Sequence, residues 1–160
     1  MANILISACL MGSPVRYDGR AKTLTGDILD RWRAEDRLVP LCPEVAAGLP
    51  TPRPPAEIAP GHLAKGVLNG RGQVLTDGGE DVTDFFRRGA EIALKVALDR
   101  QCRFALLTDG SPSCGSLNIY AGHHDGTRRE GRGVVTELLE QNGIRVFAPR
   151  DIALLAAAAG

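Results

Sequence analysis

Asn3-Ile4-Leu5-Ile6-Ser7-Ala8-Cys9 opens the chain with an unbroken apolar run that ends on a small hydroxyl residue and a thiol. A short continuous apolar run of this kind reads as a strand buried on both faces, as in the middle of a parallel sheet. The pattern returns twice. Leu38-Val39-Pro40-Leu41-Cys42 is broken by Pro43, and Arg103-Phe104-Ala105-Leu106-Leu107-Thr108 runs into a loop that carries Cys114. A last short strand is expected over Ile144-Arg145-Val146-Phe147.

Helices are expected between these runs. Asp27 to Glu35 places Ile28, Leu29 and Trp32 on one face. The clearest helix runs from Asp81, as its cap, to Arg100, with Val82, Phe86, Ala90, Ala93 and Ala97 along one stripe. Gly89 weakens its middle by about 1 kcal/mol against alanine. Gly133 to Asn142 makes another helix, stopped by Gly143, and Asp151 is expected to cap a final alanine-rich one. Strands alternating with helices predict an α/β fold, a mainly parallel sheet with flanking helices of Rossmann-like type. Residues 1–160 are expected to form a single domain. Within it, Leu49-Pro50-Thr51-Pro52-Arg53-Pro54-Pro55 should be a stiff extended loop. Glycine and turn residues then follow to position 80, with Gln73 to Thr76 a short strand, so 43–80 reads as a Pro/Gly-rich functional loop region.

Composition narrows the function classes. With 44% hydrophobic residues, the chain can bury a real core. Nineteen basic residues balance nineteen acidic ones, which argues against a strong nucleic-acid footprint. No run approaches the roughly 18 apolar residues of a membrane span, and the first residues lack the basic and apolar regions of a signal peptide, so a cytoplasmic location is expected.

Four cysteines are present, Cys9, Cys42, Cys102 and Cys114, with none of the close pairs that mark a local zinc site. Their placement on the strands separates them. Cys9 lies just after the first expected strand, Cys42 at the end of the second and Cys114 in the loop after the third, whereas Cys102 precedes that third strand. Ligands of open parallel sheets bind beyond the carboxyl ends of the strands. If the three strands are neighbours, three thiols converge on one rim and Cys102 lies at the other as a small buried hydrophobe. Placement alone leaves two readings open, because free cysteines are also among the most buried residues. The three could bind a metal or cluster, or they could all be packing.

The surrounding motifs carry a resemblance. Ile-Leu-Ile-Ser-Ala-Cys-Leu-Met-Gly (4–12), Arg-Tyr-Asp-Gly (16–19), Cys-Pro-Glu-Val (42–45), Gly-Leu-Pro-Thr-Pro-Arg-Pro-Pro-Ala-Glu-Ile (48–58), Ser-Pro-Ser-Cys-Gly-Ser (111–116) and Asn-Gly-Ile-Arg-Val-Phe (142–147) resemble the bacterial thiouracil desulfidase family over nearly the whole chain. The resemblance implies a 4Fe-4S cluster on Cys9, Cys42 and Cys114 with one iron open, and non-redox removal of sulfur from a thiolated pyrimidine. Relatives often carry a further cysteine shortly after the first, where this chain has Ser13-Pro14-Val15.

On that reading Glu44, tied to Cys42 through Pro43, is the candidate general base for an attacking water. Ser111 and Ser113 are candidates to orient substrate or water. Arg16, Asp18 and Asp109 are candidate substrate-binding residues, with Arg53 a further candidate cation. His62, His123 and His124 show no metal-ligand spacing. The expected partner is a small thiolated nucleobase. Rival readings are an iron-free sulfur transferase with Cys114 as nucleophile, a non-catalytic cluster or metal acting as structural staple or redox sensor, and the same chemistry on a thiolated nucleoside or tRNA base.

Overall fold

The computed structural model describes residues 1–160. The elements in chain order are β1 (Asn3–Ser7), α1 (Asp27–Ala34), β2 (Leu38–Leu41), α2 (Pro43–Ala46), β3 (Ala56–Ile58), α3 (Ala64–Leu68), β4 (Val74–Thr76), α4 (Thr83–Asp99), β5 (Cys102–Leu106), β6 (Asn118–Tyr120), β7 (Arg128–Glu130), α5 (Val134–Gln141), β8 (Arg145–Phe147) and α6 (Ile152–Ala159). The central sheet has the order β2-β1-β5-β8 and every pairing in it is parallel. It is thus the α/β fold expected, with β2, β1 and β5 adjacent.

Alternation along β1 explains the unbroken apolar run. Ile4 and Ile6 pack on one face with Leu29, Trp32 and Leu155, from α1 and α6. Leu5 points the other way, into a larger core with Ala90 and Ala93 of α4 and Val135 and Leu139 of α5. Both faces are covered, so both sets of side chains are apolar. Register then sets the rim. Ser7 pairs with Leu41 and Ile6 with Leu106, so the three strands end nearly level.

Several local expectations need correction. Segment 43–80 is not a plain loop: it holds α2, α3 and an antiparallel pair, β3 with β4, in which Ala56 faces Thr76. The proline run at 49–55 is irregular, as expected. The β6–β7 hairpin also went unread, because three-residue strands are too short to show a period. At the start of α4, Val82 rather than Asp81 occupies the cap position, while Asp81 Oδ1 accepts the Thr83 N–H at 2.9 Å. Asp151 stands at the cap of α6 without a side-chain hydrogen bond to it. Asn142 and then Gly143, at φ 79°, end α5. No helix is long and apolar enough to cross a membrane.

Gly89 has a reason the helix pattern hides. A Cβ there would lie 2.7 Å from the carbonyl oxygen of Pro43. The gap lets α2 press directly onto α4, which seats Cys42 and Glu44 at the sheet rim. A small loss in helix propensity is exchanged for that contact.

Candidate functional site

Three chain reversals at the carboxyl rim bring the chemistry together. After β1 a single turn of 3-10 helix, Ala8–Met11, carries Cys9, whose carbonyl accepts the N–H of Lys22 at 2.9 Å. After β2, Cys42 caps α2, and Pro43 starts the helix where a missing N–H costs nothing. After β5, the loop to β6 carries Asp109, Ser111, Ser113 and Cys114.

That third loop is locked from two sides. Asp109 Oδ1 accepts the N–H groups of Ser116, Leu117 and Asn118 at 3.1–3.2 Å. Burial acts to raise this carboxyl, but the backbone donors outweigh it and hold it below the usual range. From the other side, Val134 N–H donates to Pro112 O and Val135 N–H to Ser113 O, and the Thr136 hydroxyl donates to Cys114 O. The free donors at the start of α5 are thereby satisfied by the cysteine loop itself. Gly133 makes the approach possible, since a Cβ there would lie 2.4 Å from Ser113 backbone atoms.

The three loops enclose a cavity of about 380 Å³. Cys9, Cys42 and Cys114 all line it, as do Glu44, Arg16, Arg53, Asp109 and Ser111. Glu44 is held at both oxygens. Arg53 Nε donates to Oε1 at 3.0 Å and the Ser113 hydroxyl donates to Oε2 at 3.0 Å. Arg53 is itself fixed by the carbonyls of Pro50 and Val15 and by Thr51 Oγ1. The carboxylate therefore has one rotamer and a stated direction.

Two expected residues stand elsewhere. Asp18 does not line the cavity: Oδ1 accepts the Arg20 N–H at 3.0 Å, which closes a turn. Ser113 is 1% exposed and reaches the cavity only through Glu44. Ser111 lines the cavity, and its Oγ accepts the N–H groups of Ser113 and Cys114, bonds that do not use its own hydroxyl proton. Sequence reasoning missed Lys22, Tyr17, Glu57 and His124, which also line it. Glu57, in the center of β3, carries the one usable signal, a carboxylate between Ala56 and Ile58. Nothing near His124 in sequence pointed to the rim.

All four cysteines are free thiols. Cys9 is raised by burial and then by Cys42. Cys114 is raised well above an ordinary thiol, by burial first and Glu44 second, with Cys42 and Cys9 adding to it against a hydrogen bond from Ser7. Cys42 thus acts on both Cys9 and Cys114, as sulfurs gathered at one rim must. Yet no trio of histidine, cysteine or acidic side chains is close enough to hold a single metal ion. A soft sulfur donor set spread around one cavity fits a larger iron–sulfur group better than a lone cation. Such a group would replace three protons with positive charge, which relieves the mutual repulsion.

A parallel α/β sheet with two buried thiols, a half-buried third and a doubly anchored carboxylate on its carboxyl rim presents a donor set suited to metal and sulfur chemistry. The chain belongs to the 2-thiouracil desulfurase family, whose model matches residues 4–151. It is similar to an uncharacterized protein, YbbK, of Bacillus subtilis strain 168, with 38% identity over 149 residues, covering 93% of this chain and 97% of that one. Among solved structures it is similar to the 4Fe-4S-dependent thiouracil desulfidase TudS, with 47% identity and a TM-score of 0.89, covering 99% of this chain and 97% of that one.

Proposed function

We propose that this protein is an iron–sulfur-dependent desulfidase that converts a 2-thiouracil-like pyrimidine to its oxo form. The balance is one water consumed and one hydrogen sulfide released, without net oxidation or reduction. The observation that carries the reading is the convergence of Cys9, Cys42, Cys114 and Glu44 on one cavity at the sheet rim. Those three cysteines would hold a 4Fe-4S cluster and leave its fourth iron open. When bound, that iron supplies a Lewis acid for the soft sulfur of the substrate.

The chain's own residues supply protons and position. Glu44 takes a proton from the attacking water, and its fixed direction spares the cost of ordering it during reaction. The Arg53 and Ser113 bonds keep both carboxylate oxygens in place, so Ser113 acts by positioning. Ser111 offers its hydroxyl proton to the substrate or to the water. Arg16, which lines the cavity, contributes positive charge for binding, while Asp109 shapes the loop that presents Cys114. Asp18 supports Arg16 from 4.0 Å. A sulfur-transferase role for Cys114 is disfavoured, because a thiol raised by burial and a neighbouring carboxylate is a poor nucleophile near neutral pH.

Purification without oxygen, followed by assays of iron, sulfide and uracil formation from 2-thiouracil, tests the proposal. Expected is an iron-loaded protein that releases sulfide and uracil in equal amounts. An iron-free protein after reconstitution, or a loaded one that never releases sulfide, overturns it.

A further inference from the structure

The mechanism above leaves a second carboxylate of the cavity without a task. Glu57 is buried in the middle of β3, and its Oε1 accepts the backbone N–H groups of Gly122 and His124 at 2.8 and 3.3 Å. Its Oε2 lies 3.5 Å from Nδ1 of His124. Both residues line the cavity. The adjacent histidines of the β6–β7 loop part company here: His123 faces solvent, whereas His124 turns inward with its side chain 22% exposed. His124 also holds a left-handed backbone, at φ 54°, which is costly for a residue with a Cβ. Its Nδ1 is wholly buried and has no hydrogen-bond partner other than what Glu57 can offer.

Strain and burial at one spot, with the His124 backbone N–H held by a carboxylate from another element and the ring Nδ1 facing that carboxylate at 3.5 Å, point to a placed imidazole. A carboxylate only accepts, so in the neutral imidazole the tautomer with the proton on Nδ1 is the one that matches Glu57. Nε2 is left with a lone pair. Elsewhere in the cavity lining Arg16, Lys22 and Arg128 bring only donors and Glu44, Asp77 and Asp109 bring carboxylates, so His124 supplies its one imidazole. We propose that His124, oriented by Glu57, recognises the substrate by accepting a ring N–H of the thiopyrimidine through Nε2. The assignment rests on the desulfidase reading of this cavity and adds a specificity element to it.

The test combines steady-state sulfide release from 2-thiouracil by the iron-loaded protein with calorimetric binding of uracil, the product. For His124→Phe the expected result is KM raised about tenfold and uracil binding weakened by a similar factor, with kcat changed less. Glu57→Gln is the sharper variant. Its amide oxygen keeps the Gly122 and His124 N–H bonds, while its NH₂ donates to Nδ1 and drives the proton onto Nε2. The same KM rise is expected with the thermal midpoint preserved, which a merely structural pair would not produce. In the wild type, a methyl on N1 or N3 of 2-thiouracil should cost about tenfold in kcat/KM at one of the two positions, and the same methyl should cost His124→Phe little. If either variant fails to fold, the other decides. Wild-type values of KM and uracil affinity in the folded variants overturn the assignment while leaving the desulfidase reading standing. Absence of sulfide release from the wild type overturns both.

Discussion

The two ends of β5 carry the same residue type in opposite settings. Cys102 starts the strand and Cys114 lies in the loop beyond its far end; each is 4% exposed and each is a free thiol. Burial pushes Cys102 up to about 11, opposed only by Arg100. Burial also leads at Cys114, but there Glu44, Ser7, Cys42 and Cys9 all act on the sulfur. Exposure and thiol chemistry alone would rank the two alike. Company separates them, and company follows from strand direction. Parallel strands deliver their outgoing loops to one rim, so polar and ligating groups gather there while the opposite rim is left to packing.

The largest effects are expected at the carboxyl rim. Cys114→Ser, and likewise Cys9→Ser or Cys42→Ser, is expected to abolish iron binding and with it all sulfide release; iron and acid-labile sulfide assays after anaerobic reconstitution check this. An iron-loaded, active Cys114→Ser would make the two ends equivalent. Next in size is Glu44→Gln, for which turnover should fall roughly 10²–10⁴-fold while iron content stays at the wild-type level. If turnover is undiminished, Glu44 is not the base.

Gly133→Ala attacks the same rim through packing. The added Cβ meets Ser113 backbone at 2.4 Å, so the loop must shift, at about 1–3 kcal/mol in a denaturant titration and with partial loss of iron. Retained iron at full stability would show that α5 does not hold the Cys114 loop. The smallest effect belongs to the other end. Cys102→Ala should keep iron content and turnover and lose about 1 kcal/mol of stability. In the wild type, alkylation of Cys102 should be slow at neutral pH and climb about tenfold per pH unit toward 11, because the thiolate fraction grows with pH below that value. Fast labelling near neutrality would remove the contrast.

Much of this was legible along the chain. Ile4, Leu5 and Ile6 announce a strand covered on both faces, and the helical stripe from Val82 to Ala97 announces α4. These signals are local, written by side-chain period within a few residues. The strand over Gln73 to Thr76 was legible, but its pairing with β3 and the whole β6–β7 pair escaped, because three residues carry no period and partners such as Ala56 and Thr76 lie well apart in the chain. Gly89 looked like a flaw in a helix until Pro43 was found against it.

The site divides along the same line. By itself the sequence determined that thiols follow three strands and that a glutamate stands two positions from one of them, because each of these is a statement about neighbours in the chain. Tertiary packing alone sets β2, β1 and β5 side by side, makes Arg53, 9 positions on, and Ser113, 69 positions on, grip Glu44 together, and turns His124 rather than His123 to Glu57 across 67 positions of chain. Those partners are joined by packing free energy summed over two cores on opposite faces of the sheet, which no short window of sequence contains.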